Sequence, residues 1–294
     1  MTTGKKIQHQ IEYAAVRGAL GLAGALPVTA GQRVGAVLGS VAFDVFRIRR
    51  RLSVENIAGA LGVSRAEATR IGRRAYRNFG RSLLEFAAFG KLLPADLKAL
   101  ISITGLEHLE RVRAEGRGAV FVTGHHGNWE LMGLSMSLFG FATDFIVGEQ
   151  ANARVDDVIN ALRARQGVGL IHRGLALRKV LQALAANRLV ALLADQDARR
   201  QGIMVEFLGR PASTVRGPAL FAIRRGCPIV TGFIHREGTR HRVAINPPIY
   251  PPDLPEEEAV RFLTQAHADA LATHIHAYPD EYFWPHRRWK TKSL

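Results

Sequence analysis

The sequence predicts an α/β fold, with a largely parallel central sheet flanked by helices and a helical, membrane-associating N-terminal part. Three features lead to this prediction. Short apolar runs alternate with helical stretches from Gly118 onward, two apolar stretches lie near the N-terminus, and positive charge is concentrated in the first third of the chain. With 294 residues, 47% of them hydrophobic and 22% charged, the chain can bury a sizeable core, which excludes a disordered or fibrous protein.

The two N-terminal apolar stretches cover residues 13–26 and 34–46. Arg17 interrupts the first and Pro27 ends it, and each stretch is shorter than the roughly 20 apolar residues that a membrane span needs. A cluster of arginines at positions 47–51 follows the second stretch. We predict helices that lie in or under the lipid headgroups. Two ordinary helices packed on a core are the alternative, since amphipathic helices usually face a core.

A third helix is marked by an S-x-x-E capping box at Ser64 and Glu67. Beyond it, apolar residues recur at helical spacing, and arginines line another side of the same helix. The apolar set is Ile71, Ala75, Phe79, Leu83 and Phe86, and the second set, named here the arginine stripe, is Arg70, Arg73, Arg74, Arg77 and Arg81. A charge run is usually a solvated face, but this one contains no acidic residue to balance it.

The charge of the chain restricts its partners. Forty Lys and Arg against 25 Asp and Glu give a net charge of +15, and residues 1–91 hold 15 basic and 5 acidic residues, which is +10 of that total. Such a field attracts nucleic acid or an anionic membrane surface. The apolar composition of the same segment favours the membrane and argues against nucleic acid. The single Cys227 allows no internal disulfide and favours a reducing compartment.

The rest of the chain alternates strand and helix patterns, which is typical of a parallel sheet whose functional groups collect at the carboxyl ends of the strands. The predicted strands are 118–123, 145–148, 167–172, 189–194 and 228–233, and the predicted helices between them are 128–139, 155–166, 176–187 and 218–225. We see no linker and no repeat. We therefore predict one domain overall, with membrane-associating helices in residues 1–62 and the α/β part in residues 63–294.

Candidate catalytic residues follow the first of these strands. On one continuous helix, His125 and Glu130 would point about 140° apart and would not meet. Gly127 can supply a turn between them, and Asn128 can cap the following helix. Glu130 in the first helical turn can then hold the imidazole of His125 in one tautomer, so that the other ring nitrogen accepts a proton.

This segment and several downstream motifs, read in order, carry a resemblance to a known family. The matching motifs lie at 124–130, at 152–167, at Asp195-Gln196-Asp197, at 207–214 with 216–219, and at 278–279 with 283–290. The chain resembles the bacterial lipid A biosynthesis acyltransferases, the lauroyl/myristoyl family within the lysophospholipid acyltransferase group. The motifs are spread over most of the chain, which makes the resemblance specific.

The resemblance implies an O-acyltransferase on the cytoplasmic face of the bacterial inner membrane, attached as a peripheral or monotopic protein. It implies that a fatty acyl chain moves from an acyl-carrier-protein or CoA thioester to a hydroxyl of an anionic membrane glycolipid, a lipid A precursor, without a bound cofactor or metal. His125 would be the general base and Glu130 its orienting partner. Arg163 could stabilise negative charge on the thioester oxygen, and Asp195 could support the site or contact the acceptor.

A second set of residues is predicted to bind substrate. These are Asn128, Arg210, Ser213, Thr214, Arg216, Arg287 and Arg288. A helix that begins near Gly217 could receive a phosphate at its N-terminus beside Arg216, although an ordinary capped loop gives the same pattern. The cations and tryptophans near the C-terminus suit a headgroup layer or a packed tail.

Two rival functions stay open at this point. A metal-dependent hydrolase would use the cluster of His125, Glu130 and Asp195, together with His126 and Asp197, but their spacing matches no strong metal motif. A non-enzymatic basic protein that binds membranes or nucleic acid would explain the charge but not the predicted His125–Glu130 turn.

Overall fold

The computed structural model describes residues 3–148, 151–165, 167–172 and 176–292. The helices are α1 Thr3–Ala25, α2 Val28–Asp44, α3 Arg50–Leu61, α4 Arg65–Ala88, α5 Pro94–Ala99, α6 Leu106–Glu115, α7 Trp129–Leu138, α8 Ala153–Ala164, α9 Ala176–Ala185, α10 Gly217–Arg225 and α11 Glu256–Ala277. The strands are β1 Ile101–Thr104, β2 Ala119–Thr123, β3 Thr143–Val147, β4 Gly169–His172, β5 Leu189–Leu193, β6 Ile203–Phe207, β7 Arg210–Thr214, β8 Ile229–Glu237 and β9 Arg240–Ile245.

Seven strands form the central sheet in the order β1-β9-β8-β2-β5-β3-β4. Strands β8, β2, β5, β3 and β4 run parallel to one another, whereas β9 pairs antiparallel with β8 and in parallel with β1. A separate hairpin is formed by β6 and β7. The prediction of a largely parallel sheet is therefore confirmed, and each predicted strand is present with small changes at its ends.

Helices cover both faces of the sheet because successive strand residues point to opposite sides. Phe121 and Ala191 belong to the apolar cluster under α5, α6 and α7, whereas Val120 and Val190 belong to the cluster under α9, α10 and α11. The four helices predicted between the strands are found as α7, α8, α9 and α10. Gln166, the predicted end of α8, lies outside the described residues.

The N-terminal apolar stretches form α1 and α2, and α2 packs closely on α4. Gly35, Gly39 and Gly80 make this approach possible, since a Cβ atom added at Gly35 would lie 2.3 Å from the carbonyl oxygen of Gly80. Among the described residues, no helix is long and apolar enough to cross a membrane. Phe43 and Ile57 join the same apolar cluster as the sheet, so the core is continuous across the predicted boundary at residue 62. That boundary stays a prediction.

The arginine stripe lies on α4, which begins as predicted with the Ser64 side chain accepting a hydrogen bond from the Glu67 backbone. The view that the stripe lacks balancing acids is wrong. Arg70 pairs with Glu67 on the preceding helical turn, Arg73 pairs with Asp44 at the end of α2, and Arg74 pairs with Asp280 near the C-terminus. Two of these three acids are distant in sequence, which is why the local pattern did not reveal them. Two of the five arginines, Arg73 and Arg74, therefore link α4 to other segments of the fold.

Candidate active site

His125 and Asp195 meet because of the register of two neighbouring strands. Strands β2 and β5 are adjacent and parallel, and Thr123 at the end of β2 is paired with Leu193 at the end of β5. Each of the two functional residues follows its strand by two positions. The sheet therefore places both at its carboxyl edge, where ligands of open α/β sheets commonly bind.

The imidazole of His125 is held by the carboxylate of Asp195. His125 Nδ1 lies 2.7 Å from Asp195 Oδ1, and the His125 backbone N–H donates to Asp195 Oδ2 at 3.0 Å. With the proton on Nδ1, the Nε2 atom is a hydrogen-bond acceptor, and the side-chain amide nitrogen of Gln196 lies 3.3 Å from it. Asp195 is 4% exposed, whereas the side chain of His125 is 17% exposed. A buried carboxylate thus orients an imidazole that is partly exposed, an arrangement in which a histidine can accept a proton.

Several groups keep Asp195 ionised. Burial by itself raises the pKa of this carboxyl, but the charge of His125, the two hydrogen bonds from His125 and the more distant charge of Arg288 outweigh burial and hold the pKa well below its usual range. The hydroxyl of Tyr282 is also hydrogen-bonded to Asp195, and burial followed by the neighbouring carboxylate raises the pKa of Tyr282 well above its usual value. Asp195 is therefore a fixed negative charge beneath the imidazole.

The loop that carries His125 is fixed from both ends. Gly127 has φ +57°, and a Cβ atom there would lie 2.3 Å from the carbonyl oxygen of Ile234, so only glycine fits the predicted turn. Asn128 caps α7 as predicted, because its side-chain oxygen accepts from the Leu131 backbone. The backbone N–H of Phe283 donates to the carbonyl of His125 at 2.9 Å. The position of His125 is therefore set by backbone contacts as well as by Asp195.

Asn128 also connects the loop to a buried ionic network around Glu85. This carboxylate accepts from Asn128 at 2.9 Å, from Arg236 at 2.5 and 2.9 Å, and lies 3.1 Å from His241 Nε2. Burial raises the pKa of Glu85, but His241 and Arg236 outweigh burial and bring the pKa far below its usual value. The amide nitrogen of Asn128 thus donates to Glu85, and its amide oxygen accepts from the Leu131 backbone. Asn128 also lines the groove beside His125, and its role in binding substrate stays a prediction.

The predicted contact between Glu130 and His125 is replaced by another. Glu130 lies in the first turn of α7, and both of its carboxylate oxygens accept from Arg163 of α8, at 2.9 Å from Nε and 2.6 Å from Nη2. The side chains are 14% and 15% exposed. Asp195, which a distant strand brings to the site, takes the position beside the imidazole. Arg163 still lines the same groove as His125, and Nη1 also donates to Asn160.

His126 is a structural residue. It is 1% exposed, and its ring nitrogens lie 2.9 and 3.0 Å from the carbonyl oxygens of Ile234 and Tyr278. Burial lowers the pKa of His126 to about 4, so the ring is neutral near pH 7. A neutral ring has a single N–H, so it donates to one of these two carbonyls, and the buried ring packs the loop at 124–127 between β8 and the C-terminal segment.

A groove of about 1360 Å³ opens beside His125. One part of its lining is apolar and comes from α4 and from strand residues of the sheet, and another part is polar and basic. The apolar part includes Leu83, Phe86, Phe121, Phe145 and Ala191, and the polar part includes Gln196, Arg199, Arg216 and Arg224. A groove of this composition suits a molecule with a long apolar chain and an anionic group.

Some of the predicted substrate-binding residues lie at the groove or at the protein surface, and others are buried. Arg216, at the N-terminus of α10, lines the groove and pairs with Glu257, and Arg287 is exposed. Arg210 stacks on Trp289, with the guanidinium carbon 4.4 Å from the ring centroid.

Three other predicted binding residues are buried, and their role in binding substrate stays a prediction. Ser213, Thr214 and Arg288 are 0%, 1% and 2% exposed. Arg288 donates to the Ser213 carbonyl and to the Thr214 hydroxyl, and the Ser213 hydroxyl donates to the Arg199 carbonyl. These contacts hold the C-terminal segment on β7. The sequence could not show that the basic tail turns inward.

Sequence reasoning missed an aromatic cluster around the base. The ring of Trp129 meets His125 edge-on at 5.1 Å between centroids, Phe79 stacks on Trp129 at 5.8 Å, and Phe283 lies 5.0 Å from Phe79. These residues come from α7, α4 and the C-terminal segment. Trp129 stands within the motif at 124–130, and this position was the available signal.

The two rival functions gain no support. Across residues 3–148, 151–165, 167–172 and 176–292, no group of three or more His, Cys, Asp or Glu could hold a metal ion. Asp195 is committed to His125, and Glu130 is committed to Arg163. Nothing in the geometry indicates a nucleic-acid surface.

A parallel sheet with a histidine–carboxylate pair at the edge of a partly apolar groove is an arrangement typical of an enzyme site. The model of the bacterial lipid A biosynthesis acyltransferase family matches residues 2–291, so the chain belongs to this family. The family resemblance read from the sequence is thereby confirmed.

Individual relatives are similar over different lengths. The lipid A biosynthesis lauroyltransferase and palmitoleoyltransferase of Escherichia coli K12 are each 25% identical, over 94% and 89% of this chain and 90% and 85% of their own. The phosphatidylinositol mannoside acyltransferase of Mycobacterium tuberculosis is 28% identical over 64% of this chain. The chain spans 59% of the length of that mycobacterial relative.

Proposed function

We propose that the protein transfers a fatty acyl chain from an acyl-carrier-protein or CoA thioester to a hydroxyl of an anionic membrane glycolipid, with His125 as the general base. A lipid A precursor is the first candidate acceptor because the two Escherichia coli relatives align over most of the chain. The mycobacterial relative, whose name gives a phosphatidylinositol mannoside as its acceptor, makes a different glycolipid the second candidate.

The observation that carries this proposal is the hydrogen bond between His125 Nδ1 and the Asp195 carboxylate, beside the groove. Because the carboxylate holds the proton on Nδ1, Nε2 is the nitrogen that removes a proton from the acceptor hydroxyl. The hydroxyl oxygen attacks the thioester carbonyl carbon. A C–O bond forms, the C–S bond breaks, and the thiolate leaves with the proton that Nε2 returns.

The lining of the groove supports separate places for the apolar chain and for the anionic groups of the substrates. The apolar part, with Phe121 and Phe145 on the sheet, accommodates the alkyl chain of the donor, since burial of such a chain is favourable by about 0.8 kcal/mol per methylene. The basic part, with Arg199 and Arg216, accommodates phosphate groups of the donor or acceptor. The net charge of +15 also favours an acidic carrier protein as donor.

The proposed location is the cytoplasmic face of the inner membrane, with peripheral or monotopic attachment. Exposed apolar side chains support attachment: Ile7 and Ile11 on α1, and Val37 and Leu38 on α2, are each more than half exposed. Apolar insertion together with basic residues, each worth about 1 kcal/mol near an anionic leaflet, is enough for attachment without a membrane span.

The proposal is tested by mass spectrometry of lipids from cells with the protein, without it, and with His125→Ala in its place. We expect one class of glycolipid to gain a single acyl chain only in the presence of the intact protein. That product names both the acceptor and the chain. Identical lipid profiles in the three strains would contradict the proposal.

A further inference from the structure

A second cavity lies behind the active site, between α2, α4 and the segment 281–285. Its volume is about 240 Å³, and its walls are mostly apolar. The walls include Gly39, Ala42, Ala75, Tyr76, Phe283 and Pro285. Apolar cavities of roughly 150 Å³ are already large enough for a benzene molecule. This cavity is therefore large enough for part of an alkyl chain.

The inner end of the cavity reaches the catalytic machinery. Phe79 and Trp129 line this cavity and also line the large groove, so these two side chains form the wall between them. Trp129 in turn contacts the ring of His125. A chain in the second cavity would lie one aromatic layer away from the base.

The outer end of the cavity is marked by the residues of its lining that are exposed. These are Ile48, which is 53% exposed, and Arg49, both in the connection between α2 and α3. In the same connection Val45 and Phe46 are 68% and 71% exposed, among the most exposed large apolar residues of the described chain. Arg47, Arg50 and Arg51 adjoin them. The mouth thus combines exposed apolar side chains with a cluster of cations.

We propose that this cavity binds an alkyl chain of an anionic membrane lipid, namely a chain already carried by the acceptor, which enters past Ile48 and Arg49. The apolar residues at the mouth suit the acyl layer of a membrane, and the arginines suit a phosphate of the lipid headgroup. The cavity would hold the acceptor while the apolar part of the groove holds the donor chain. This assignment of the acceptor rests on the proposed function, whereas binding of a lipid chain does not.

The one acidic side chain in the lining is compatible with an apolar occupant. Glu281 faces the cavity, and its Oε2 atom is buried with no hydrogen-bond partner among the described residues. Burial, with smaller contributions from Asp280 and Glu85, raises the pKa of Glu281 to about 8 against the opposing charge of Arg236. The carboxyl is therefore mostly neutral near pH 7, so no charge needs to be desolvated by the chain.

The test is photolabelling of the full-length protein. The probe is phosphatidic acid with a diazirine near the end of one acyl chain, in phosphatidylcholine vesicles, and labelled peptides are mapped by mass spectrometry. We expect labels in residues 39–48, 75–79 and 281–285. Ala42→Phe fills the cavity and should reduce these labels at least tenfold. Ala114→Phe makes the same substitution at an exposed position of α6, away from the cavity, and should leave them unchanged.

Further variants and a second probe distinguish a failure of the proposed lipid cavity from a failure of the proposed function. His125→Ala should be labelled like the unchanged protein, because binding does not need the base. If Ala42→Phe fails to fold, Ala42→Leu replaces it with a smaller filling group. Equal labelling of the filled and unfilled proteins would overturn the proposal. Labelling of the cavity by a photoreactive acyl thioester, but not by phosphatidic acid, would also overturn the proposal, because the cavity would then bind the acyl chain of the donor.

Discussion

Replacement of Asp195 by asparagine is the perturbation with the most definite expected outcome. In the structure Asp195 accepts from His125 Nδ1 at 2.7 Å and from the His125 backbone at 3.0 Å. Asparagine keeps the volume but has only one acceptor oxygen, and its amide group must face either the ring or the backbone. The bond that fixes the proton on Nδ1 is therefore weakened or reversed. The imidazole then carries its proton on Nε2 and cannot act as the base.

The size of the effect follows from the role of the base. General-base catalysis contributes about 10² to 10⁴ in rate, and a carboxylate-to-amide change that leaves histidine in the wrong tautomer has cost about 10⁴ in another enzyme. We therefore expect Asp195→Asn to lower kcat by about 10³ to 10⁴, which corresponds to about 4 to 5.5 kcal/mol. The value of KM should change little, because Asp195 is 4% exposed and does not reach the groove surface.

The assay is release of free thiol from an acyl thioester in detergent micelles, with the acylated lipid measured in parallel. Asp269→Asn, an exposed position on α11, serves as the matched control and should retain full activity. Circular dichroism and thermal unfolding establish that each variant is folded. A folded Asp195→Asn protein with kcat within tenfold of the unchanged protein would refute the assignment. So would a larger loss for Glu130→Gln than for Asp195→Asn.

Three further predictions concern charge and location. If the guanidinium of Arg163 stabilises negative charge on the thioester oxygen, Arg163→Met should lower kcat/KM by about 10² to 10³. Arg163→Lys keeps the positive charge and should keep part of the rate. Normal steady-state kinetics in both variants would contradict this role. The pKa of Glu281 in the folded protein, about 8, lies above its value in the unfolded chain. As the pH rises to about 8, the unfolded chain loses this proton first, so the free energy of unfolding falls. Glu281→Gln should therefore stabilise the protein little at pH 4 and by up to roughly 5 kcal/mol at pH 9 in denaturant unfolding, and an equal effect at both pH values would contradict the raised pKa. The full-length protein should sediment with membranes and need detergent rather than salt for release, and recovery in the soluble fraction at low salt would contradict the proposed attachment.

The sequence was sufficient for the elements that depend on local patterns. Apolar runs bounded by glycine predicted the parallel strands, and the capping residues Ser64 and Asn128 were recognised from their positions. The strands β1, β6, β7 and β9 were missed. β9, with the sequence RHRVAI, carries polar residues between its apolar ones and is joined to β8 as an antiparallel hairpin. A pattern built on continuous apolar runs does not detect such a strand.

The contacts among the residues of the candidate site could not be predicted from the sequence. The partner of His125 depends on which strand lies beside β2, and Asp195 is 70 positions away from the base. Glu130 was the nearest carboxylate in sequence, yet its helix directs it to Arg163. Arg288 belonged to a basic segment typical of a surface, but its guanidinium is buried against the backbone of Ser213. Each of these outcomes is a tertiary contact that one sequence does not specify.

The central claim is that His125 supplies the base for transfer of an acyl chain to a lipid hydroxyl. Its most direct test uses the purified protein, an acyl-carrier-protein thioester and a lipid A precursor in mixed micelles, with the acylated lipid quantified by mass spectrometry. We expect the unchanged protein to form a lipid heavier by one acyl chain, and His125→Ala to form it at least 10² times more slowly while it remains folded. Comparable product formation by a folded His125→Ala protein would contradict the claim.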